Sequence, residues 1–304
     1  MKIVIVGAGA MGCLYGSYLS RGWENVCLLD SWQDHVVKIN TAGLSLVAAG
    51  EEFVSNPRAV TNASEVPPAD LIIICVKSHQ TTEAAIQAEL FVKPDTTILT
   101  LQNGLGNTEI LADHFGADRI LVGTTLMGAV VLEPGLVFRS GVRETHIASW
   151  TNASDPRIAG IAKIFAKCGL PVIVEKNCAS LLWSKLSIHA GLNAITALTR
   201  TSNRLFLKQP EAIRLSRLVV AEVAAVATAA DIPLLYPNCA QAMLAYAEAM
   251  KDYQSPMLQD VLHRRKTEID AINGAVVAEG KRQGVPTPVN EALTLAMKTV
   301  EAVY

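Results

Sequence analysis

MKIVIVGAGAMGCLYGSYLSRGWENVCLLD, residues 1–30, sets an apolar run, a glycine cluster, a helical run, a second apolar run and an acid end to end. Lys2 to Val6 reads as a strand: Ile3, Val4, Ile5 and Val6 are apolar without alternation, as in a strand covered on both faces. Gly7-Ala8-Gly9-Ala10-Met11-Gly12 follows with G-x-G-x-x-G spacing, and a helical run extends to Arg21. Each glycine has its own steric reason. Gly7 permits the tight turn, Gly9 lets a pyrophosphate approach bare backbone, and Gly12 lets the helix pack close on the strand. A second strand, Asn25 to Leu29, ends in Asp30, eighteen positions past Gly12 (30 − 12), where a carboxylate can bind a ribose hydroxyl. A tight strand-to-helix turn without a ligand would share the glycines alone. The flanking strand and helix and the distant acid point instead to a dinucleotide site, with Gly7, Ala8, Gly9, Ala10, Met11, Gly12 and Asp30 as its residues.

The remaining chain is apolar and close to neutral. Hydrophobic residues make up 50% of the 304, charged residues 18%, and the formal net charge is −2, which argues for a compact globule and against a nucleic-acid partner. Six cysteines (Cys13, Cys27, Cys75, Cys168, Cys178, Cys239) show no C-x-x-C pair, so buried thiols in a reducing cytoplasm are expected and a metal site is not. The first residues enter a strand at once and so do not read as a cleaved signal. The greasiest stretch, Leu218 to Ile232, carries Glu222 and Asp231 and fails as a membrane span.

In chain order, a short helix is expected at 31–40 and a strand or hairpin over 43–54, around Gly50. Leu71 to Val76 reads as a buried strand, with Lys77, Ser78 and His79 at its carboxyl end, where open parallel sheets bind ligands. Thr97 to Leu101 is the next strand and leads into Asn103-Gly104, which also fits a plain Asn-Gly turn. Further strands are expected at 119–127 and 144–150, with a hairpin around Glu133-Pro134-Gly135. A helix over 155–168 and a strand over 171–174 complete this part. From Glu175 alanine-rich helical periodicity takes over, with helices at 178–199, 211–230, 239–250, 258–283 and 290–303. The fold class is therefore α/β: a Rossmann-type, mostly parallel sheet domain over 1–174, followed by an all-helical domain over 175–304.

On the first of those helices Lys185, His189 and Asn193 recur at intervals of four and share one face among apolar neighbours. Buried, such a row demands partners. Periodicity equally allows an ordinary solvated stripe.

The runs GAGAMG, CVKSHQ, QNGLGN, LWSKLSIHAGLNAITAL, SPMLQDVLHRRKTEIDAINGAVV and GVPTP together resemble the ketopantoate reductase (2-dehydropantoate 2-reductase) family over essentially the whole chain. The resemblance implies reduction of a 2-oxo acid, 2-dehydropantoate, to the (R)-2-hydroxy acid by hydride from a nicotinamide, in pantothenate and coenzyme A synthesis. It makes Lys185 the catalytic lysine and Glu268 a catalytic, substrate-contacting glutamate. A carbonyl receiving hydride becomes an alkoxide, and an ammonium can polarise it and then protonate it. Asn193 and Asn203 become substrate contacts, Ser255 a holder of the substrate carboxylate, and Lys77 and Asn103 residues near the nicotinamide end. Without the resemblance, Glu268 reads as an exposed charge on a helix face.

Three departures from the family pattern stand out. His189 replaces a common asparagine, which alters a substrate contact. Pro256 replaces a second serine. Asp30-Ser31-Trp32 stands where NADPH-using members carry an arginine for the 2′-phosphate. A carboxylate about 4 Å from a phosphate charge costs about 4 kcal/mol at an effective dielectric near 20. Screening leaves about 2 kcal/mol, roughly thirty-fold. NADH is therefore expected over the family's usual NADPH. The rival readings are a paralogous reductase of another 2-oxo acid, favoured by His189 and Pro256, and a non-catalytic dinucleotide sensor, disfavoured by Lys185, Asn193 and Glu268 together. A 3-hydroxyacid dehydrogenase would need a glycine-rich segment before its lysine, and Leu181 to Leu198 has only Gly191, after it. A small-molecule substrate, no membrane contact and a homodimer complete the expectations.

Overall fold

The computed structural model describes residues 1–304 except 24, 49, 50, 142, 143, 152 and 153. The expected turn around Gly50 lies outside the described residues. The strands are β1 (Ile3–Val6), β2 (Val26–Leu29), β3 (Leu44–Ala48), β4 (Glu51–Ser55), β5 (Arg58–Val60), β6 (Leu71–Ile74), β7 (Thr97–Thr100), β8 (Ile120–Thr125), β9 (Gly128–Glu133), β10 (Leu136–Ser140), β11 (Thr145–Ser149) and β12 (Val172–Val174). The helices are α1 (Ala10–Gly22), α2 (Gln33–Ala42), α3 (Thr81–Ala88), α4 (Asn107–Phe115), α5 (Pro156–Lys167), α6 (Cys178–Thr199), α7 (Asn203–Phe206), α8 (Pro210–Ala229), α9 (Cys239–Ala249), α10 (Pro256–Leu262), α11 (Asn273–Gln283) and α12 (Pro288–Glu301). Chain contacts divide the molecule into two compact units. The first holds Met1–Gln102 and Asn107–Cys178; the second holds Asn103–Gly106 and Ala179–Tyr304. A single cut after residue 174 does not contain the excursion of residues 103–106.

In the first unit an eight-stranded sheet runs β12-β11-β8-β7-β6-β1-β2-β5, parallel except where β11 meets β8. The unbroken apolar run of β1 is explained by its two neighbouring cores. Ile3 and Ile5 pack with Leu14, Tyr15 and Tyr18 of α1 on one face. Val4 and Val6 pack with Ala84 and Ala85 of α3 and Leu111 of α4 on the other. The chain leaves β1 first toward β2 and β5, then returns to β6, β7 and β8 on its other side. β1 is thus the point where the strand order reverses, and such a point opens a crevice at the strands' carboxyl ends. The two hairpins join in a separate four-stranded sheet, β4-β3-β10-β9, in which β3 and β10 pair in parallel.

The second unit is helical around α6. From Trp183 to Ala197 every residue of α6 is buried except Lys185, which is half-buried. Ile188, Leu192 and Ile195 share a core with Val219 and Val223 of α8 and Met243 and Ala247 of α9.

The single helix expected over 258–283 is not formed. Arg264 adopts a left-handed φ of 53°, and the Arg265 N–H bonds back to the Asp260 carbonyl at 2.8 Å, which ends α10 in a Schellman-type closure. His263 to Lys266 are all exposed, so no apolar face carries a helix across this stretch. Asp231 closes α8 in the same way, with φ 55° and Ile232 N–H bonded to Ala227 O at 2.9 Å. A left-handed non-glycine residue costs about 1 kcal/mol. Asp231→Gly is therefore expected to raise the unfolding free energy by about 0.5–1 kcal/mol in urea titration; no gain would mean that Asp231 makes a compensating contact.

Candidate active site

In the first unit the three glycines of the turn do different work. Gly7 has φ 93°, and a Cβ there would lie 2.7 Å from the Val76 amide nitrogen. A Cβ on Gly12 would fall 1.8 Å from the Gly7 carbonyl oxygen. A Cβ on Gly9 would meet nothing within 4 Å, so the space in front of that residue is open. No side chain caps α1 and no acid stands in its first turn, so its amide groups and positive end are available to an anion. Gly7 N–H bonds to Leu29 O at 2.8 Å and Cys75 N–H to Val6 O, which brings the ends of β2 and β6 to the turn. Lys77 follows β6 at that same carboxyl end, and Asp30 follows β2. Asp30 Oδ1 accepts the Trp32 N–H at 2.9 Å, which fixes the carboxyl group. An open face at Gly9, an uncapped helix start and an oriented acid fit a dinucleotide's pyrophosphate and ribose.

One network around this turn was not legible from spacing. The buried His35 accepts the Gly135 N–H at Nδ1 (3.1 Å), so its proton sits on Nε2, 3.1 Å from Cys13 Sγ; the thiol in turn donates to Ala8 O at 2.9 Å. Burial pushes the His35 pKa down and the Cys13 thiol up, so both are neutral links. No motif marks such a chain, because its members come from α1, α2 and the β9–β10 turn.

In the second unit the row on α6 is internal. His189 is 6% and Asn193 2% exposed, which removes the solvated-stripe reading. Burial lowers the Lys185 pKa from 10.5 to about 8, against the charge of Glu268, which raises it. Burial and then the Lys185 charge push His189 down to about 3, so the imidazole is neutral and Lys185 carries the charge. Neither group has a hydrogen-bond partner among the described residues. Asn193 Nδ2 is buried without a partner, as is Asn203 Oδ1, although Asn203 Nδ2 donates to Met250 O at 2.9 Å. The His189 ring lies 6.3 Å from that of Tyr246.

Glu268 sits in the break between α10 and α11 and is 6% exposed, neither helical nor on the surface. Asn103 Nδ2 donates to its Oε2 at 3.3 Å. Leu105 N–H bonds to Ala271 O at 2.8 Å, and Gly104, at φ 81°, leaves a Cβ only 2.4 Å from that same oxygen. A side chain at Gly104 would push Asn103 off Glu268. The structure thus gathers Lys185, His189, Asn193, Glu268 and Asn103 within one unit.

Ser255 caps α10, accepting the Leu258 N–H at 3.2 Å, and shares a 2.8 Å hydrogen bond with Thr196 Oγ1. Its proton is free for another acceptor only when Thr196 releases the α6 carbonyls it also reaches. Pro256 occupies the first helical position, which tolerates a missing N–H.

A dinucleotide turn on a parallel sheet, followed by a helical unit in which a half-buried lysine feels the charge of a buried glutamate, defines a nicotinamide-dependent oxidoreductase. The family model described as "Ketopantoate reductase PanE/ApbA" matches residues 3–152, and its C-terminal counterpart matches residues 177–301. The chain belongs to the ketopantoate reductase family of NAD(P)-dependent oxidoreductases. It is 34% identical over 294 residues to a 2-dehydropantoate 2-reductase of Halobacterium salinarum, covering 96% of each chain. It is similar to a D-mandelate dehydrogenase solved with NADH and anilino(oxo)acetate, with a TM-score of 0.94 at 29% identity over 100% of this chain and 99% of that one. A ketopantoate reductase from Ralstonia eutropha is also similar, with a TM-score of 0.91 at 31% identity over 99% of both chains. Among the described residues no helix is long and apolar enough to cross a membrane.

Proposed function

We propose that the protein reduces 2-dehydropantoate to (R)-pantoate, in the cytoplasm and as a homodimer, with Lys185 as proton donor. The observation that carries this is the row on α6: a half-buried ammonium without a hydrogen-bond partner, a buried neutral imidazole and a buried, orphaned amide nitrogen, with the charge of Glu268 acting on the lysine. Unsatisfied buried donors are costly in a folded protein, and a 2-oxo acid supplies the acceptors they lack. A nicotinamide dinucleotide, when bound, supplies the hydride. Lys185 Nζ polarises the ketone oxygen, donates one proton to the alkoxide and is left as an amine, which its lowered pKa makes accessible near neutral pH. Glu268 holds the ammonium by its charge and accepts a substrate hydroxyl hydrogen. Asn193 Nδ2 donates to the substrate, Asn203 Oδ1 accepts from it, and Ser255 approaches its carboxylate. Gly7 to Gly12 cradle the pyrophosphate, and Lys77 and Asn103 take the roles that the family resemblance gives them, near the nicotinamide. Hydride consumption matched to 2-dehydropantoate, at higher kcat/KM than for other 2-oxo acids, is the expected result.

A second reading has its own observation. His189 beside the Tyr246 ring gives the row an aromatic neighbour, and the similar D-mandelate dehydrogenase was solved with an anilino(oxo)acetate. Preference for an aryl 2-oxo acid in the same panel would establish that reading; dinucleotide binding with no turnover on any acid would leave a sensor.

For the cofactor we infer NADH. Residues 31–34, Ser-Trp-Gln-Asp, offer no cation to a 2′-phosphate, and with Asp30 Oδ1 accepting the Trp32 N–H, Oδ2 is left to accept from a free 2′-hydroxyl. The expected ratio of kcat/KM for NADH over NADPH is roughly thirty-fold from the electrostatic cost alone. A clear NADPH advantage would refute the role given to Asp30.

A further inference from the structure

We propose that Trp32 is the platform on which the adenine ring of the dinucleotide stacks, an inference that rests on the dinucleotide reading of the glycine turn. Trp32 is 43% exposed although it is a large apolar side chain, and its ring lies parallel to that of His35, 4.9 Å between centroids and 10° between planes. One face of the indole is therefore covered and a good part of the residue remains open. His35 is itself locked at both ring nitrogens, by the Gly135 amide and by Cys13, so the indole rests on a support that does not turn. Its backbone is equally held, through the Trp32 N–H to Asp30 Oδ1.

Asp30 is the residue that meets the adenosine ribose, and the base is attached to the next carbon of that same sugar. A fixed aromatic plane two residues beyond Asp30 is thus within the reach of the base, and a purine stacks on any such face without needing a hydrogen-bond code. The ordering cost is already met in the free protein, because both the ring and its support are hydrogen-bonded or stacked before ligand arrives. The same arrangement keeps Asp30 Oδ1 occupied and leaves Oδ2 to the ribose.

Reduced nicotinamide mononucleotide, which lacks the adenosine half, separates this role from a general one. Trp32→Ala is expected to weaken NADH binding by about ten- to a hundred-fold in calorimetry, the range for loss of one base–aromatic stack. Affinity for the mononucleotide should stay unchanged, and Trp32→Phe should recover most of the NADH affinity. Energy transfer from tryptophan to NADH should also be larger in the wild type than in Trp32→Phe. Equal losses for NADH and the mononucleotide would overturn the proposal, since Trp32 would then act through the shape of the turn. Unchanged NADH affinity in Trp32→Ala would overturn it outright. A wild-type protein that binds neither NADH nor NADPH would remove the dinucleotide reading itself, a result distinct from either.

Discussion

Lys185→Met is expected to lower kcat by about 10²–10⁴-fold, the usual contribution of a positioned proton donor, and to leave NADH affinity within about two-fold. Methionine keeps an unbranched stem of similar length on α6 and removes only the ammonium. The glycine turn belongs to the other unit and should not feel the change. In the wild type the donor must be protonated, so kcat/KM should fall as pH rises through about 8, the value to which burial brings Lys185. The variant's residual rate should lack that limb. Stability gives an independent reading with the opposite sign. A lysine depressed from 10.5 to about 8 binds fewer protons folded than unfolded between those values, so its penalty is full at neutral pH and vanishes as pH rises past 10.5. That penalty is about 3 kcal/mol, and Lys185→Met should relieve up to that amount. An inactive variant that melts higher than the wild type cannot owe its inactivity to misfolding. Full turnover in Lys185→Met would end the assignment of Lys185 as the acid.

The contrast between Lys185 and Glu268 shows where a sequence is informative. The row at 185, 189 and 193 was visible because helical spacing alone places those residues on one face. Its burial was not, since periodicity cannot say which face of a nearly all-apolar helix meets a core. Glu268 was hidden for a different reason. Residues 258–283 have helical composition, but the left-handed turn at Arg264, with the bond from Arg265 back to Asp260, ends α10, and the chain is not helical again until Asn273. Arginine at that position carries no signal of a left-handed conformation, as glycine would. The first unit was far more legible: β1, the glycine turn and β2 are contiguous, and both faces of β1 are covered, so the run Ile3 to Val6 states its own environment. His35 reads as an ordinary residue of a short helix because its partners, Cys13 and Gly135, lie 22 and 100 positions away. Local pattern is blind to contacts of that span.

Two alanine substitutions in the same turn are expected to fail in different ways, and the difference tests whether the turn is shaped for a ligand or only for the fold. In Gly12→Ala the new methyl lies 1.8 Å from the Gly7 carbonyl oxygen and 2.9 Å from its carbon. Both are backbone atoms at the end of a central strand and cannot swing away as a side-chain tip would, so α1 must shift off β1. Overpacking of this kind costs about 1–3 kcal/mol, and occasionally more when backbone is displaced. Gly12→Ala should therefore melt lower and lose NADH binding together. Gly9→Ala should not melt lower. Gly9 has φ −68°, a value any residue adopts, and its added methyl meets no atom within 4 Å. By backbone entropy alone it should hold or slightly raise stability. Yet that methyl stands in the space the pyrophosphate must enter to reach the amides of α1, so NADH affinity should drop by at least about ten-fold, the equivalent of 1.4 kcal/mol. The pair is read by thermal unfolding and by calorimetric titration on the same preparations. If Gly9→Ala bound NADH as tightly as the wild type, the open space before Gly9 would not be where the phosphates lie. If it unfolded as readily as Gly12→Ala, the second glycine would serve the fold rather than the ligand.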